Sequence, residues 1–452
     1  VLPPFLVRFL ALHPDIVRCP FYRHAEGAMY QLLAYLCRTI LGILKSYSKI
    51  VIGGGPAGMA AAIFASAGPT LILERNDSLG KKLLIAGTGR CNITHHGDIG
   101  DFIHHYGDHG KFLKKALREF TNTDMVQFFT DRGLATIVDK NGKVFPHTEK
   151  SRDVLRVLLD ECRARGVEIR SNQQVVRVDR VEEQFVVAAN GETFGAKHLV
   201  VATGGRSYPT TGSTGDGYLL AQQLGHTVVE PRPALTPVFV KDYPFAELAG
   251  VSLDAVPVYL YRGAKKVAEH SGDIGFTHKG ISGPGIIDFS RHMLPGDTLR
   301  INFVGKPVDA FRRSFIDGAA TQGRQTVQTF LRDYDLPKSL MRALLDRCNV
   351  DAAECLSNVV AAKRNLLIEL LCEFPFQIDR LGGFKVAMAT AGGVALDEVS
   401  SKTMESKRCP NLYFAGEVLD IDGDTGGYNI QAAFSTGYVA GKAISKKVEA
   451  AQ

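Results

Sequence analysis

The sequence predicts an α/β fold in which one parallel-sheet domain is interrupted by a long insert. Three observations predict it. A glycine-rich turn links an apolar strand, a small-residue helix and a second apolar strand in "SKIVIGGGPAGMAAAIFASAGPTLILE" (48–74). Strand followed by glycine returns twice, in "HLVVATGG" (198–205) and "NLYFAGE" (411–417). Between these two the patterning changes, becoming β-rich over 238–305 and helical over 307–373.

Taken in order, residues 1–47 form an N-terminal extension expected to lie outside the fold, as an over-extended reading frame or a leader. Its apolar runs "VLPPFLVRFLALHP" and "YQLLAYLCRTILGIL" are short and broken by Arg, so neither spans a membrane. "SKIVIGG" is short, apolar and β-branched, as a strand buried on both faces must be. Residues 56–67 follow as a helix, ended by Gly68-Pro69, and "TLILE" (70–74) completes a βαβ unit. "SRDVLRVLLDECRARG" (151–166) is an amphipathic helix with Ser151 at the N-cap and Gly166 just past its end. Val154, Leu155, Leu158, Leu159 and Cys162 fall on one face of it. Residues 167–205 read as short strands with an Asn190-Gly191 hairpin turn. "PRPALTP" (231–237) opens the insert, and α/β patterning resumes at 381. The expected division is therefore 1–47 extension, 48–230 first part of the sheet domain, 231–306 β-rich insert, 307–380 helical subdomain and 381–448 second part of the sheet domain.

Composition narrows the function. Net charge is +6, and half of that excess falls within residues 1–48, so the rest is near balance and makes no case for nucleic acid. Eight Cys are scattered without Cys-x-x-Cys spacing, which argues against a zinc ribbon, an iron–sulfur cluster or a dithiol redox pair. Such usage suits a reducing compartment, and a cytoplasmic location is expected. "HHGDIGDFIHHYGDH" (95–109) carries metal-ligand residue types at no defined metal spacing and reads as a polar loop, so no metal is expected. Nothing in the sequence specifies an oligomeric state.

The glycine turn carries the chemistry. Gly53, Gly55 and Gly58 give G-x-G-x-x-G directly after a strand, with Pro56 and Ala57 opening the helix. Gly53 permits the tight turn, Gly55 lets the backbone approach a pyrophosphate, and Gly58 lets helix and strand pack closely. The pyrophosphate would sit on free N–H groups at the positive helix end. Glu74, followed by Arg75, closes the second strand; an acid there accepts from ribose hydroxyls and repels a 2′-phosphate. The choice between NAD and FAD falls to FAD. Thr203-Gly204-Gly205 offers a second contact with a long ligand, and Gly416-Glu417 precedes Gly427 and a helix starting near Tyr428. First-turn N–H groups there can face a flavin edge that gains negative charge on reduction.

At this point the sequence resembles the BaiN/YhiN-type FAD-dependent oxidoreductases of bacteria, a family with aminoacetone-oxidase-like members. The matching stretches are "VIGGGPAGMAAA", "GKKLLIAGTGRCNIT", "VATGGRSYPTTGSTGDGYLLAQQLGHTVVEPRPALTPV", "FTHKGISGPGIIDFSR", "TAGGVALDEVSSKTMESK" and "LYFAGEVLDIDGDTGGYNIQAAFSTGYVAG", collinear over 49–443. The resemblance implies a Rossmann-like FAD-binding domain of the two-dinucleotide-binding flavoprotein type, split by a β-barrel-like insert and a helical subdomain. It implies non-covalent FAD with the pyrophosphate at Gly53–Gly58, the adenosine ribose at Glu74 and the adenine framed by Val175. It further implies Arg90, Cys91 and Asn92 near the flavin and Thr203 and Gly204 on the pyrophosphate side. Glu417 would take a ribityl hydroxyl, with Asn429 and Ile430 at the pyrimidine edge.

The flavin supplies redox chemistry and the protein positions substrate. Arg90 is a candidate to stabilise reduced flavin or hold an acidic substrate; a structural clamp is the alternative. His278 in "FTHKGISGP" is a candidate proton donor on a loop expected to reach over the flavin. Arg206 and Tyr208 are candidates for the substrate pocket, and Cys91 reads as a packed side chain rather than a redox thiol. No second strand–glycine–helix unit serves a nicotinamide, so NAD(P)H, if it is the donor, binds transiently. The leading expectation is an NAD(P)H-driven reductase of a conjugated C=C in a small organic substrate. An O₂-using amine oxidase, a flavin-dependent RNA-modifying enzyme and a flavin-holding regulatory protein are the alternatives. The arginines of the helical region motivate the RNA reading, but acids interleave with them and a solvated face is the simpler account.

Overall fold

The computed structural model describes residues 45–65 and 68–450. The expected extension therefore lies outside the described residues up to 44, whereas 45–47 belong to the first strand. β1 (Lys45–Ile52) leads through the glycine turn into α1 (Pro56–Phe64) and β2 (Thr70–Leu73). α2 (Lys81–Ile85), β3 (Thr94–His95), α3 (Gly110–Glu119), α4 (Asn122–Thr130), β4 (Thr136–Val138), β5 (Lys143–Pro146) and α5 (Ser151–Ala164) follow. Helix α5 begins where expected, but Ser151 does not cap it. Lys150 occupies the N-cap position, Ser151 is the first helical residue, and its hydroxyl donates to Leu84 O at 2.8 Å.

β6 (Glu168–Arg170), β7 (Val175–Val181), β8 (Gln184–Ala189) and β9 (Glu192–Val201) complete most of a seven-stranded sheet in the order β6-β2-β1-β9-β8-β7. Asn190 and Gly191 both have positive φ, 42° and 83°, as the tight β8–β9 hairpin requires. One edge of β9 is shared: its first half pairs antiparallel with β8 and its second half parallel with β18 (Leu412–Phe414). The other edge pairs parallel with β1. Ile52 and Phe414 are both register partners of Val201. The turns that follow β1, β9 and β18 therefore open at one level, beyond the carboxyl ends of parallel strands, where ligands of open α/β sheets bind.

α6 (Asp216–Gln223) precedes β10 (Val228–Ala234), where the chain leaves the sheet domain. β11 (Val238–Val240), β12 (Ser252–Arg262), β13 (Lys265–Phe276), β14 (Gly280–Ser282), α7 (Pro284–Ile287) and β15 (Thr298–Ile301) come next. Helices α8 (Val308–Thr321), α9 (Val327–Leu331), α10 (Lys338–Cys348) and α11 (Ala361–Cys372) separate β15 from β16 (Phe374–Leu381). Six strands close into a barrel, β11-β14-β13-β12-β15-β16. The helices are thus inserted within the barrel rather than after it, and the last barrel strand, β16, occupies the end of the 307–380 span expected to be helical. Barrel and helices share one hydrophobic core, distinct from that of the sheet domain. β17 (Ala389–Val394) returns antiparallel to β10, and α12 (Tyr428–Ala450) closes the chain. α12 lies tight on α1: a Cβ at Gly441 would stand 2.6 Å from Ala61 O.

Candidate active site

A cavity of about 680 Å³ runs along the carboxyl ends of β1, β9 and β18 and reaches the sheet–barrel junction. That is within the roughly 300–1,000 Å³ of small-molecule sites. The glycine turn forms one end. Gly53 has φ +103°, and a Cβ there would stand 2.5 Å from Ala202 O. A Cβ on Gly58 would collide with the Gly53 carbonyl, so Gly58 serves helix–strand contact and does not line the cavity. A Cβ on Gly55 would meet nothing within 4 Å, which leaves its backbone open to a ligand. Pro56 opens α1 behind it, where N–H groups lack intrahelical acceptors. Gly53, Gly55, Pro56, Ala57, Glu74, Arg75, Val175, Thr203 and Gly204 all line this end.

Glu74 is buried, and its carboxylate accepts from the Gly54 N–H at 2.8 Å and the Asn76 N–H at 2.9 Å. This fixes an acid beside the glycine turn. Arg75 is held by Asp216 at 2.8 Å.

The middle of the cavity is built by the β18 turn and α12. Gly416, Glu417, Gly427, Asn429 and Ile430 line it. Gly427 has φ +101°, and a Cβ would stand 2.5 Å from the Thr94 backbone, so the α12 N-terminus is seated directly on β3. Two expectations shift here. The Glu417 carboxylate is engaged by the Thr390 N–H (2.8 Å), the Ser207 hydroxyl (3.0 Å) and the Lys82 ammonium (2.7 Å). The Asn429 side chain is tied at both ends to Gly423, at 2.8 Å each, which leaves its backbone N–H rather than its amide for a ligand. The histidines of 95–109 brace the same point: His105 and His95 stack on either side of Tyr428, at 4.0 and 5.1 Å. His105 also binds Asp424 at 2.9 Å.

The end towards the insert is lined by apolar side chains, Leu235, Pro284, Ile287 and Met388, from the insert entry, α7 and the insert exit. Ile85 of α2 and Phe145 of β5 also line the cavity, as do the charged Asp139 and Lys143 of the β4–β5 hairpin. Arg90 lies over the Phe145 ring at 4.2 Å and pairs with Glu149 at the rim. Asn92 lines the cavity with its Oδ1 buried and without a hydrogen-bond partner. Thr425 lines it beside Gly426, and its hydroxyl donates to Asp288 at 3.0 Å.

Of the sequence candidates, Tyr208 lines the cavity, at φ +51°. Arg206 does not; it is exposed and lies over Phe384 at 4.6 Å. His278 does not either: it is exposed in the short turn joining β13 to β14. Cys91 is fully buried behind the lining, and burial pushes its thiol up to about 12. Lys82, Thr425 and the apolar end were not singled out from sequence. Lys82 stands in the "GKKLL" stretch with nothing to separate it from Lys81, and the apolar residues come from segments with no shared pattern.

A Rossmann-type sheet with three glycine turns on one crevice, two helix N-termini opening into it and an acid at the second strand end defines a dinucleotide-dependent flavoenzyme. The chain belongs to the family described as "HI0933-like protein Rossmann domain", whose model matches residues 47–443. It is an FAD-dependent oxidoreductase of that family, as the motif resemblance implied. The chain is similar to a 3-dehydro-bile acid delta(4,6)-reductase of Clostridium scindens, 34% identical over 88% of this chain and 98% of the relative. It is also similar to ribosomal RNA dihydrouridine synthases. That of Haemophilus influenzae is 31% identical over 89% of this chain and 100% of the relative. That of Escherichia coli is 32% identical over 87% and 97%. Among the described residues no helix is long and apolar enough to cross a membrane.

The residues present fit FAD. The open Gly55 backbone and free α1 N–H groups suit a diphosphate, and the unpartnered Asn92 Oδ1 calls for a ligand donor.

Proposed function

We propose that the protein reduces a carbon–carbon double bond conjugated to a carbonyl in a small organic molecule, with NAD(P)H as transient electron donor. FAD, when bound, would supply the hydride-transfer chemistry. The observation that carries this reading is the apolar end of the cavity, a wall of side chains suited to a rigid hydrocarbon ring system. The relatives support it. A bile acid reductase is among them, and dihydrouridine is uridine whose ring double bond, itself conjugated to a carbonyl, has been reduced.

In this reading Gly53, Gly55 and the start of α1 hold the diphosphate, Glu74 the adenosine ribose, and Val175 the adenine. First-turn N–H groups of α12, at Asn429 and Ile430, face the flavin pyrimidine edge and favour the charge it gains on reduction. Arg90, stacked on Phe145, closes the rim over substrate. Lys82 holds Glu417 in place rather than touching the reacting atoms.

A second reading, the same reduction on uracil within RNA, is favoured by two of the relatives. Basic and acidic residues are equal in number over 307–373, which leaves that face without the positive excess that phosphate binding uses. The test is anaerobic. The flavin of the purified holoenzyme is titrated with NADH and NADPH, then mixed with steroid 4-en-3-ones or with unmodified ribosomal RNA. Bleaching by a nicotinamide and recovery with the enone is the expected result. Recovery only with RNA, with dihydrouridine formed, establishes the second reading. Recovery only with O₂ after bleaching by an amine moves the enzyme to the oxidases.

A further inference from the structure

Reducing a conjugated C=C needs a proton as well as a hydride. Hydride addition to the β-carbon drives the double-bond pair on to the α-carbon and the carbonyl, and the α-carbon must then be protonated. A side chain that does this has to reach the apolar end of the cavity and be backed by an acid.

We propose that the Thr425 hydroxyl is that proton donor and that Asp288 is the acid behind it. This rests on the reductase reading above. Thr425 lines the cavity between Asp424 and Gly426. Its hydroxyl contacts Asp288 Oδ2 at 3.0 Å, and its N–H donates to Asp288 Oδ1 at 2.7 Å, so both atoms of the pair are fixed. Asp288 directly follows α7, whose Pro284 and Ile287 form part of the apolar wall. Consecutive residues, Ile287 and Asp288, thus carry a hydrocarbon contact and the carboxyl that meets the donor.

Burial pushes the Asp288 carboxyl up to about 6, where it can hold a proton close to neutral pH. The charged groups around it are Asp424, which raises it further, and Arg291, which lowers it. Arg291 is itself bound to Asp422 at 3.2 Å and Asp424 at 2.6 Å, so most of its charge is directed elsewhere. His270 and His292 lie in the same electrostatic neighbourhood, and burial holds both below the usual histidine range.

The step balances. The β-carbon gains a hydride from the reduced cofactor, the α-carbon gains the Thr425 proton, the threonine oxygen regains a proton from Asp288, and solvent reprotonates Asp288.

The experiment isolates that half-reaction. Holoenzyme is reduced anaerobically with dithionite and mixed with a steroid 4-en-3-one in H₂O and D₂O, between about pH 5 and pH 8. Flavin reoxidation, the substrate-induced change in the flavin spectrum, and the position of deuterium in the product are recorded. Thr425→Val is expected to slow reoxidation by about 100-fold, the lower range of lost acid–base catalysis, with flavin content and substrate-induced spectrum retained. Thr425→Ser restores most of the rate. In the wild type the rate falls as pH rises through the Asp288 range, because the relay needs the protonated carboxyl. Asp288→Asn keeps an acceptor for the Thr425 N–H yet loses this pH dependence, an effect no merely structural role explains. Full rate in Thr425→Val, an unchanged pH profile in Asp288→Asn, or loss confined to Tyr208→Phe overturns the assignment. If no enone reoxidises the wild-type flavin, the reductase reading falls first and takes this proposal with it.

Discussion

The two ends of the cavity are built by opposite strategies. The glycine-turn end comes from one continuous stretch, 52–76, with contributions from β9 and its turn. Its geometry is set by backbone: a left-handed Gly53, an open Gly55, a Gly58 with no room for a side chain. The apolar end comes from α7 and both crossings between sheet domain and insert, and it depends on which side chains those segments carry. A cofactor shared by a family can be held by a local rule. A substrate that differs among relatives is met by residues that can change singly without disturbing that rule.

The sharpest way to break this comparison is Gly53→Val. It forces a β-branched residue into positive φ and its Cβ against Ala202 O, at a cost of roughly 3 kcal/mol or more. The expected outcome is a protein without flavin absorbance and with a lowered melting temperature. A stable, fully yellow variant would show that the turn is not the anchor.

Lys82→Met tests the middle of the cavity. Glu417 is only 19% exposed, and removing its ammonium partner at 2.7 Å leaves a mostly buried carboxylate short of compensation. A loss of about 2 kcal/mol is expected by thermal unfolding, less than for a fully buried pair. Glu417→Gln in the same background should return part of it, and absence of that rescue would mean that the two residues act independently.

Met388→Asp sharpens the far end. Met388 is 44% exposed and lines the cavity, so a charge there should leave melting temperature and flavin content unchanged. The KM for an enone should rise by about tenfold, the scale expected when one apolar side chain no longer packs against the ligand. Equal loss of flavin would show that the two ends are not separable.

The smallest effect is expected far from both ends. His198 is buried in β9, and burial holds its imidazole down at about 4. Its folded value lies below the unfolded value of about 6.5, so its contribution is complete above that pH and is lost as pH falls toward 4. About 1 kcal/mol should be gone by about pH 5.5, visible as a falling melting temperature. His198→Gln, which cannot titrate, should flatten that part of the curve.

The same contrast explains what the sequence could disclose. The βαβ unit, the Asn190-Gly191 hairpin and the start of α12 at Tyr428 were legible because each obeys a short-range rule of sterics or periodicity. Arg90 and Asn92 came only through family resemblance. Thr425, Asp288, Met388 and Ile287 were not legible, since each takes its role by meeting residues more than 100 positions away. His278 lies off the cavity lining for the complementary reason: a glycine-flanked loop reads as reach in one dimension, whereas pairing of β13 with β14 shortens it to a turn. Ser151 has the composition of a cap but stands one position inside the helix, where its hydroxyl meets Leu84 O instead.

Ala234 and Ala389 are cross-strand partners on β10 and β17. In terms of chain connectivity, everything from 235 to 388, barrel and helices together, is the loop of a single hairpin. Its two ends arrive side by side and in register, and because closure entropy rises only slowly with length, the sheet domain tolerates a long excursion at this point. Such a region can be lengthened, shortened or exchanged as a cassette without re-routing any strand of the sheet. Because Leu235 and Met388 stand at its two junctions while Pro284 and Ile287 lie within it, exchanging the cassette would carry much of the hydrocarbon-facing wall with it and leave the glycine turn untouched.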